Sequence, residues 1–315
     1  MSWFNRSGRH SGWLALQFQG DHVDLVHASP GPDGRPTVSF CDSYRNEGSP
    51  TSTLSRLRKE FRLDHYRRTT LLPSTQYQLR EIDAPVVPEA EVEAAVRWRM
   101  EELIDYPVTS ATVQLLRIPA NPAAGSGPGA LCAVTARSED VAACAAPFEA
   151  ARVPLDAIDI PELAQRNIAA LFEPPGLGVV MLAFYPDGGL LTFTRGGEFY
   201  ASRRIEVPLA RLMDGEPAKR MESFARIALE VQRSLDHFER QFRYVPISKL
   251  LVAPLPRDIG LHAYLASNIE GVVEALDLAA AMDLSSVPGL EEPELQSQYL
   301  PLIGAALRAE QDASA

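Results

Sequence analysis

The chain has 315 residues, enough for two domains or for one domain carrying a large insertion. Hydrophobic residues make up 46% and charged residues 23%, as in an average globular chain, which excludes disordered, collagenous and coiled-coil classes. Thirty Lys+Arg against forty-one Asp+Glu leave a net charge of −11, and such a chain repels nucleic-acid phosphates and anionic lipid headgroups.

No window reaches the ~18–20 apolar residues of a spanning helix. Residues 1–17 carry Arg6, Arg9 and His10 with no apolar run behind them, so they do not read as a signal peptide. Cys41, Cys132 and Cys144 are far apart and form no CxxC, so they read as buried or half-buried thiols of a reducing cytoplasm.

In chain order, 13–19 and 23–27 read as strands joined at the turn formers Gly20 and Asp21. The Pro/Gly-rich stretch 29–36 turns the chain into a third strand, 37–44. A helix over 50–60 follows, with Ser49 as N-cap and Pro50 at its first position. Strands are expected at 69–72 and 77–82. Pro88 and Glu89, Glu91 and Glu93 then open a helix whose apolar spacing runs from Val92 to Ile104. Strands at 111–118 and 130–136 flank a Gly/Pro-rich loop at 120–129. A helix over 138–151 is expected to kink or break near Pro147. A strand within 154–160 and a helix over 163–172 complete the first half.

The second half opens the same way, with strands at 178–185, 190–194 and 198–204. A helix over 218–242 follows, roughly 37 Å long at ~1.5 Å per residue, with Met221, Phe224, Ile227, Val231, Leu235, Phe238 and Phe242 recurring at steps of three or four. A strand at 249–253, a helix at 258–269, an apolar run at 272–276 and a helix at 300–308 close the chain.

Each half is thus a three-stranded meander, then helix, then strand. That order predicts an α/β chain with a duplicated ribonuclease-H-like (actin-like) fold. The expected division is a first lobe of 1–75 plus 151–175, an inserted small α/β subdomain of 76–150, and a second lobe of 176–315.

Such a fold grips nucleotide phosphates between two hairpin turns. Each turn needs a carboxylate for Mg²⁺ or water and a glycine whose backbone N–H groups close on phosphate. A late glycine pair holds the adenosine. Here Gln17 and Gln19 stand where the first Asp and Gly belong, and Ala183 and Tyr185 where the second pair belongs. Pro254, in a run with a second proline, stands where the glycine pair belongs and removes a backbone donor. Asp21 and the Asp187-Gly188-Gly189 turn lie close enough to serve as stand-ins. Bound ATP and Mg²⁺ are therefore disfavoured, and no catalytic residue or metal ligand is expected.

Other constellations are bland. His237 lacks the HExxH spacing, and the Gly-rich 125–129 loop precedes no helix. Arg97, Trp98 and Arg99 read as a helix flank with Trp98 packed, and Arg203-Arg204 as a solvated strand end.

Several stretches resemble the MshI/PilM-like family of type IV (MSHA-like) pilus assembly. They are LREIDAPVVP at 79–88 with RWRMEELIDYPV at 97–108, and IDIPELA at 158–164 with RNIA at 166–169. LLTFTR at 190–195 with YASRRI at 200–205, and VQRSLD at 231–236 with Phe238-Glu239, continue it; the 300–308 tail also fits. The resemblance implies an actin-like fold in the cytoplasm, peripheral at the inner membrane. It also implies a scaffold role: docking the N-terminal tail of a PilN/MshJ-like bitopic partner, beside other pilus platform proteins. PilM relatives bind ATP, so an ATP-binding switch or weak ATPase with divergent phosphate loops is the alternative. No motif for the tail-binding groove carries over.

Overall fold

The computed structural model describes residues 10–121 and 129–309. Strands β1 (Trp13–Gln19), β2 (His22–Pro30) and β3 (Pro36–Arg45) form the expected antiparallel meander. Helix α1 (Pro50–Phe61) starts where its cap dictates. Ser49 Oγ accepts from the Ser52 N–H at 3.2 Å, and Ser52 Oγ accepts from the Ser49 N–H at 3.0 Å. Strand β4 (Arg67–Leu71) then pairs parallel with β1.

Next come β5 (Tyr77–Asp83), α2 (Val92–Met100), β6 (Ala111–Ile118), β7 (Ala130–Arg137) and α3 (Ser138–Ala150). The chain returns through β8 (Ala157–Asp159), parallel to β4, and α4 (Pro161–Ala170). The second half runs β9 (Gly178–Tyr185), β10 (Gly188–Arg195), β11 (Glu198–Ile205), α5 (Leu209–Leu212) and α6 (Pro217–Gln241). It ends with β12 (Ile247–Val252), α7 (Leu261–Asn268), β13 (Val273–Ala275), α8 (Leu278–Ala281) and α9 (Pro293–Ala306).

The two large sheets have one plan. Their orders are β3-β2-β1-β4-β8 and β11-β10-β9-β12-β13. In each, three antiparallel strands are followed by two parallel ones. This is the duplicated ribonuclease-H-like arrangement. A separate antiparallel sheet, β5-β7-β6, comes from the chain between β4 and β8. Helix α2 covers it, with Val92, Val96 and Met100 packed on Ile82, Leu131 and Ala133.

Between the large sheets lie α4 and α9. Ala164, Ile168 and Ala169 of the first meet Leu302, Ile303, Ala305 and Ala306 of the second. Ala15 and Val26 of one sheet and Met181 and Ala183 of the other close the layer. The helices cross at Gly304, where a Cβ would stand 2.2 Å from the Ala164 carbonyl oxygen. Only glycine permits that approach. The chain after β13 also returns to the first sheet. Asp283 N–H donates to the Pro36 oxygen at 2.8 Å and its oxygen accepts from the Val38 N–H at 2.9 Å, covering part of the β3 edge.

Four expectations need correction. Helix α2 stops at Met100 rather than near Ile104. Helix α3 passes Pro147 unbroken and runs on to Ala150. The strand expected within 154–160 shrinks to three residues. Helix α9 begins at Pro293, well before 300. Residues 122–128 of the expected mobile loop lie outside the described residues. The three thiols are free, Cys132 buried and Cys41 and Cys144 half-buried, as their spacing suggests.

Candidate functional site

Both hairpin turns reach one cleft of about 790 Å³. Gln17, Gln19 and Gly20 line it from the β1–β2 side, and Tyr185, Pro186 and Asp187 from the β9–β10 side. The loop after β4 contributes Ser74, and α9 contributes Glu294, Ser297 and Gln298.

The sequence-derived positions divide. Gln17, Gln19 and Tyr185 line the cleft, as does the stand-in Asp187. Ala183 does not: it is buried in the layer beneath, packed with α4 and α9. Pro254 is not among the lining residues, whereas Pro256 is. Asp21 is exposed at its turn, with His22 Nδ1 at 2.7 Å and Arg45 Nε at 4.0 Å. Gly188 and Gly189 are ladder residues opposite Tyr185 and Phe184. A Cβ at Gly188 would lie 2.7 Å from the Ile205 oxygen, and one at Gly189 would lie 2.9 Å from the Phe184 ring. Their missing side chains are thus required by strand packing.

Tyr185 is held in place from below. Its hydroxyl donates to Gln165 Oε1 at 3.1 Å. Gln165 is itself buried, and its amide donates to the Met181 oxygen at 2.6 Å and to Leu190 O and Thr192 Oγ1 at 3.1 Å. Burial, reinforced by Glu162, pushes the Tyr185 phenol well above its ordinary range. The cleft wall at this point is a neutral phenol.

Arg204 is the one cation among the described lining residues. It is already engaged. Its Nη2 donates to Glu162 Oε1 at 2.7 Å and to the Tyr77 hydroxyl at 2.8 Å. Its Nη1 donates to Asp187 Oδ2 at 3.1 Å. Tyr77 also donates to Glu162, and Ser74 to Asp187. Burial opposes the charge on Arg204, yet Glu162 and Tyr77 outweigh it and raise its pKa. Glu162 is only 2% exposed, so the arginine is its required counter-ion. The reading of Arg203-Arg204 as a solvated strand end is therefore corrected for Arg204.

The network draws on β5, the loop after β4, the first turn of α4, the β9–β10 turn and β11. It joins the inserted sheet to both lobes across one mouth of the cleft. Sequence reasoning missed Ser74, Tyr77, Glu162, Gln165 and Gln298. None sits in a motif, and only the fold brings them together. A second polar contact sits at the cleft rim. Asp24, 1% exposed, is the direct cross-strand partner of Gln17, and its Oδ2 accepts from Gln298 at 3.1 Å.

Chemically, a triphosphate needs free cations or open N–H groups. The cleft offers amides, a phenol, the hydroxyls of Ser74, Thr75 and Ser297, the Gly20 backbone, the carboxylates of Asp187 and Glu294, and one arginine already shared by Glu162 and Asp187. Among the described residues no group of His, Cys, Asp or Glu has a metal-holding arrangement, and no helix is long and apolar enough to cross a membrane.

No protein-family model and no curated protein matches the chain. Solved structures do. The chain is similar, over 95% of its length and 98% of the other, to a chain of the PilM–PilN type IV pilus biogenesis complex, at 21% identity and TM-score 0.71. It is also similar to the cytoplasmic domain of EpsL, an inner-membrane component of the type II secretion system of Vibrio cholerae. That match has 13% identity and TM-score 0.51 over 89% of this chain and 95% of the other. These likenesses, with the two matching sheets, establish the fold as the duplicated actin-like one.

Proposed function

We propose that the chain is a non-catalytic, actin-like scaffold of a type IV pilus assembly complex, of the MSHA-like kind. It works in the cytoplasm, peripheral at the inner membrane. There it docks the N-terminal tail of a PilN/MshJ-like bitopic protein, beside other platform proteins. The observation that carries the reading is the state of the interlobe cleft. Its one cation among the described lining residues is engaged by Glu162 and Asp187, and Tyr185 lines the cleft as a phenol that burial keeps neutral. The fold shared with a chain from the PilM–PilN complex supports the choice of partner.

Docking of this kind needs no nucleotide: an extended tail gains affinity from backbone pairing and a few side-chain pockets. Calorimetry with a synthetic peptide of a PilN-like protein's N-terminal cytoplasmic residues tests it. The expected result is binding of equal strength with and without Mg-ATP. No binding, or binding only with Mg-ATP, refutes the reading.

One observation favours a second reading, an ATP-binding switch or weak ATPase. The cleft is about 790 Å³, ample for a ligand, and Asp187 faces it. An Mg-ATP isotherm abolished by Asp187→Ala would establish that reading in place of the first.

A further inference from the structure

Four of the large apolar side chains that the molecule leaves exposed fall in one short stretch of the inserted unit. They are Val86, Val87, Trp98 and Leu103. Trp98 is 74% exposed, so it is not the packed flank residue its sequence suggested. Helix geometry explains why. Val92, Val96 and Met100 point α2 into the sheet, and Trp98 stands on the opposite side of the turn. Ala94 and Ala95 precede it by four and three residues on the helix, Glu101 caps the helix end, and Glu102 follows in the turn. The ring thus rises from a shelf of alanines with two carboxylates at one end.

The rim is acidic. Residues 89–105 hold six carboxylates, Glu89, Glu91, Glu93, Glu101, Glu102 and Asp105, against Arg97 and Arg99 alone. Both arginines are engaged. Arg97 pairs with Glu93 at 3.0 Å, and Arg99 lies 3.9 Å from Asp83. The second pair ties this side of α2 to the end of β5, from which the Val86-Val87 segment runs. Glu89 pairs with Arg117 and Asp105 with Arg137, whereas Glu91, Glu101 and Glu102 are exposed and form no ion pair among the described residues.

We propose that this outer face of α2, with the loop before it, docks a basic segment of a partner protein that carries apolar side chains between its charges. An arginine or lysine of that segment lies over the Trp98 ring, where the ring's negative face attracts a cation. Glu101 and Glu102 sit beside the same position and add to the attraction. The intervening apolar side chains cover Val86, Val87 and Leu103. An exposed tryptophan ringed by charge is the composition of an interface hot spot. The same carboxylates repel an anionic membrane, which sets the lipid alternative aside. The site is separate from the interlobe cleft, and the inference stands whether or not the pilus reading does.

The test uses the full chain and a fluorescein-labelled peptide of alternating arginine and leucine, read by anisotropy. A charge-reversed peptide with glutamate for arginine serves as control. The basic peptide should bind and the acidic one should not. Trp98→Ala should weaken binding by about tenfold or more, and Glu101→Lys/Glu102→Lys by a similar factor. Met221→Ala removes an exposed apolar side chain on α6 and should change nothing. All four positions are exposed, so an unchanged melting temperature certifies the fold. Equal binding by wild type and Trp98→Ala overturns the proposal. So does Trp98-dependent uptake onto phosphatidylcholine–phosphatidylglycerol vesicles without peptide binding. Trp98-dependent self-association in sedimentation, again without peptide binding, would assign the face to a second copy and overturn it as well.

Discussion

The turn between β1 and β2 and the turn between β9 and β10 hold the same place in two copies of one sheet, yet they are wired differently. Asp21, on the first, is exposed; among the described residues its carboxylate pairs with His22 and Arg45 of its own meander, and its backbone oxygen accepts from the Asn46 N–H. Asp187, on the second, accepts from Ser74 of the other lobe and from Arg204, which holds Glu162 and Tyr77 in turn. One turn is a local connection; the other fastens the inserted sheet and both lobes to each other. Duplication fixes where a hairpin lies and leaves open what its tip does. A cleft whose second tip is bolted across its mouth favours holding a fixed shape over closing on a small ligand.

The largest effect should come from breaking the layer on which both copies rest. Gly304→Ala places a methyl group against the Ala164 backbone, and α9 and α4 must part. Overpacking at so tight a crossing should cost about 3 kcal/mol. Because the layer touches both large sheets, urea denaturation should show one transition at lower denaturant. Two separated transitions would mean that the lobes fold independently.

The bolt itself should weigh somewhat less. Arg204→Met leaves Glu162 buried with the Tyr77 hydroxyl still donating to it, and leaves Asp187 with Ser74. Removing one member of a buried pair costs about 3–5 kcal/mol. Arg204 is partly exposed and water can reach the gap, so about 2 kcal/mol is expected. Adding Glu162→Gln should recover part of that loss in a double-mutant cycle. No recovery would show that the arginine acts by packing alone.

Much of this contrast was open to a reader of the sequence, and some was not. The six meander strands, the Ser49 cap and the placing of Gln17, Gln19 and Tyr185 at the ends of their strands follow from turn chemistry and alternation, which are local. Helix α2 was read too long because Leu103 and Ile104 keep helical spacing after the helix ends; both N–H groups still donate to the Met100 oxygen. Helix α9 was read too short for the opposite reason. Glu294, Ser297 and Gln298 look like a loop, and they are polar because they face the cleft. Ala183 was misplaced because β9 is buried on both faces, so alternation gives no hint of which side meets the cleft. The Arg204 network joins residues up to 127 positions apart, and no local pattern marks it.

Alkaline pH should weaken the fold through its buried thiols. Burial, aided by Glu81 and Glu162, pushes the Cys132 thiol up to about 12 from its ordinary 9.0. The folded chain therefore keeps a proton that the unfolded chain releases. The stability this provides is complete below about pH 9 and is lost as pH rises toward 12, at about 1.4 kcal/mol per pH unit. Tyr77 and Tyr185, also raised, steepen the fall above about pH 10. Burial, with Asp24 and Asp42, pushes the Cys41 thiol up to about 12 as well, so urea unfolding at stepped pH should show Cys132→Ala and Cys41→Ala each flattening this limb to a similar extent. No flattening by either substitution would assign the limb to other groups.

The smallest effect belongs to the first tip. Asp21→Asn removes a carboxylate that is 67% exposed and lies beside a half-exposed His22. Surface pairs of this kind contribute about 0–1 kcal/mol and are screened by salt. Stability should move by less than about 0.5 kcal/mol, and the turn survives because Gly20, at φ 58°, shapes it. The same substitution also separates the two readings of the cleft. If Asp21 stood in for a lost magnesium ligand, Asp21→Asn would weaken an Mg-ATP isotherm while leaving denaturation unchanged. If the first tip is only a connection, calorimetry of wild type and Asp21→Asn with Mg-ATP should be the same. The asymmetry between the turns would then reside wholly in Asp187 and its bolt.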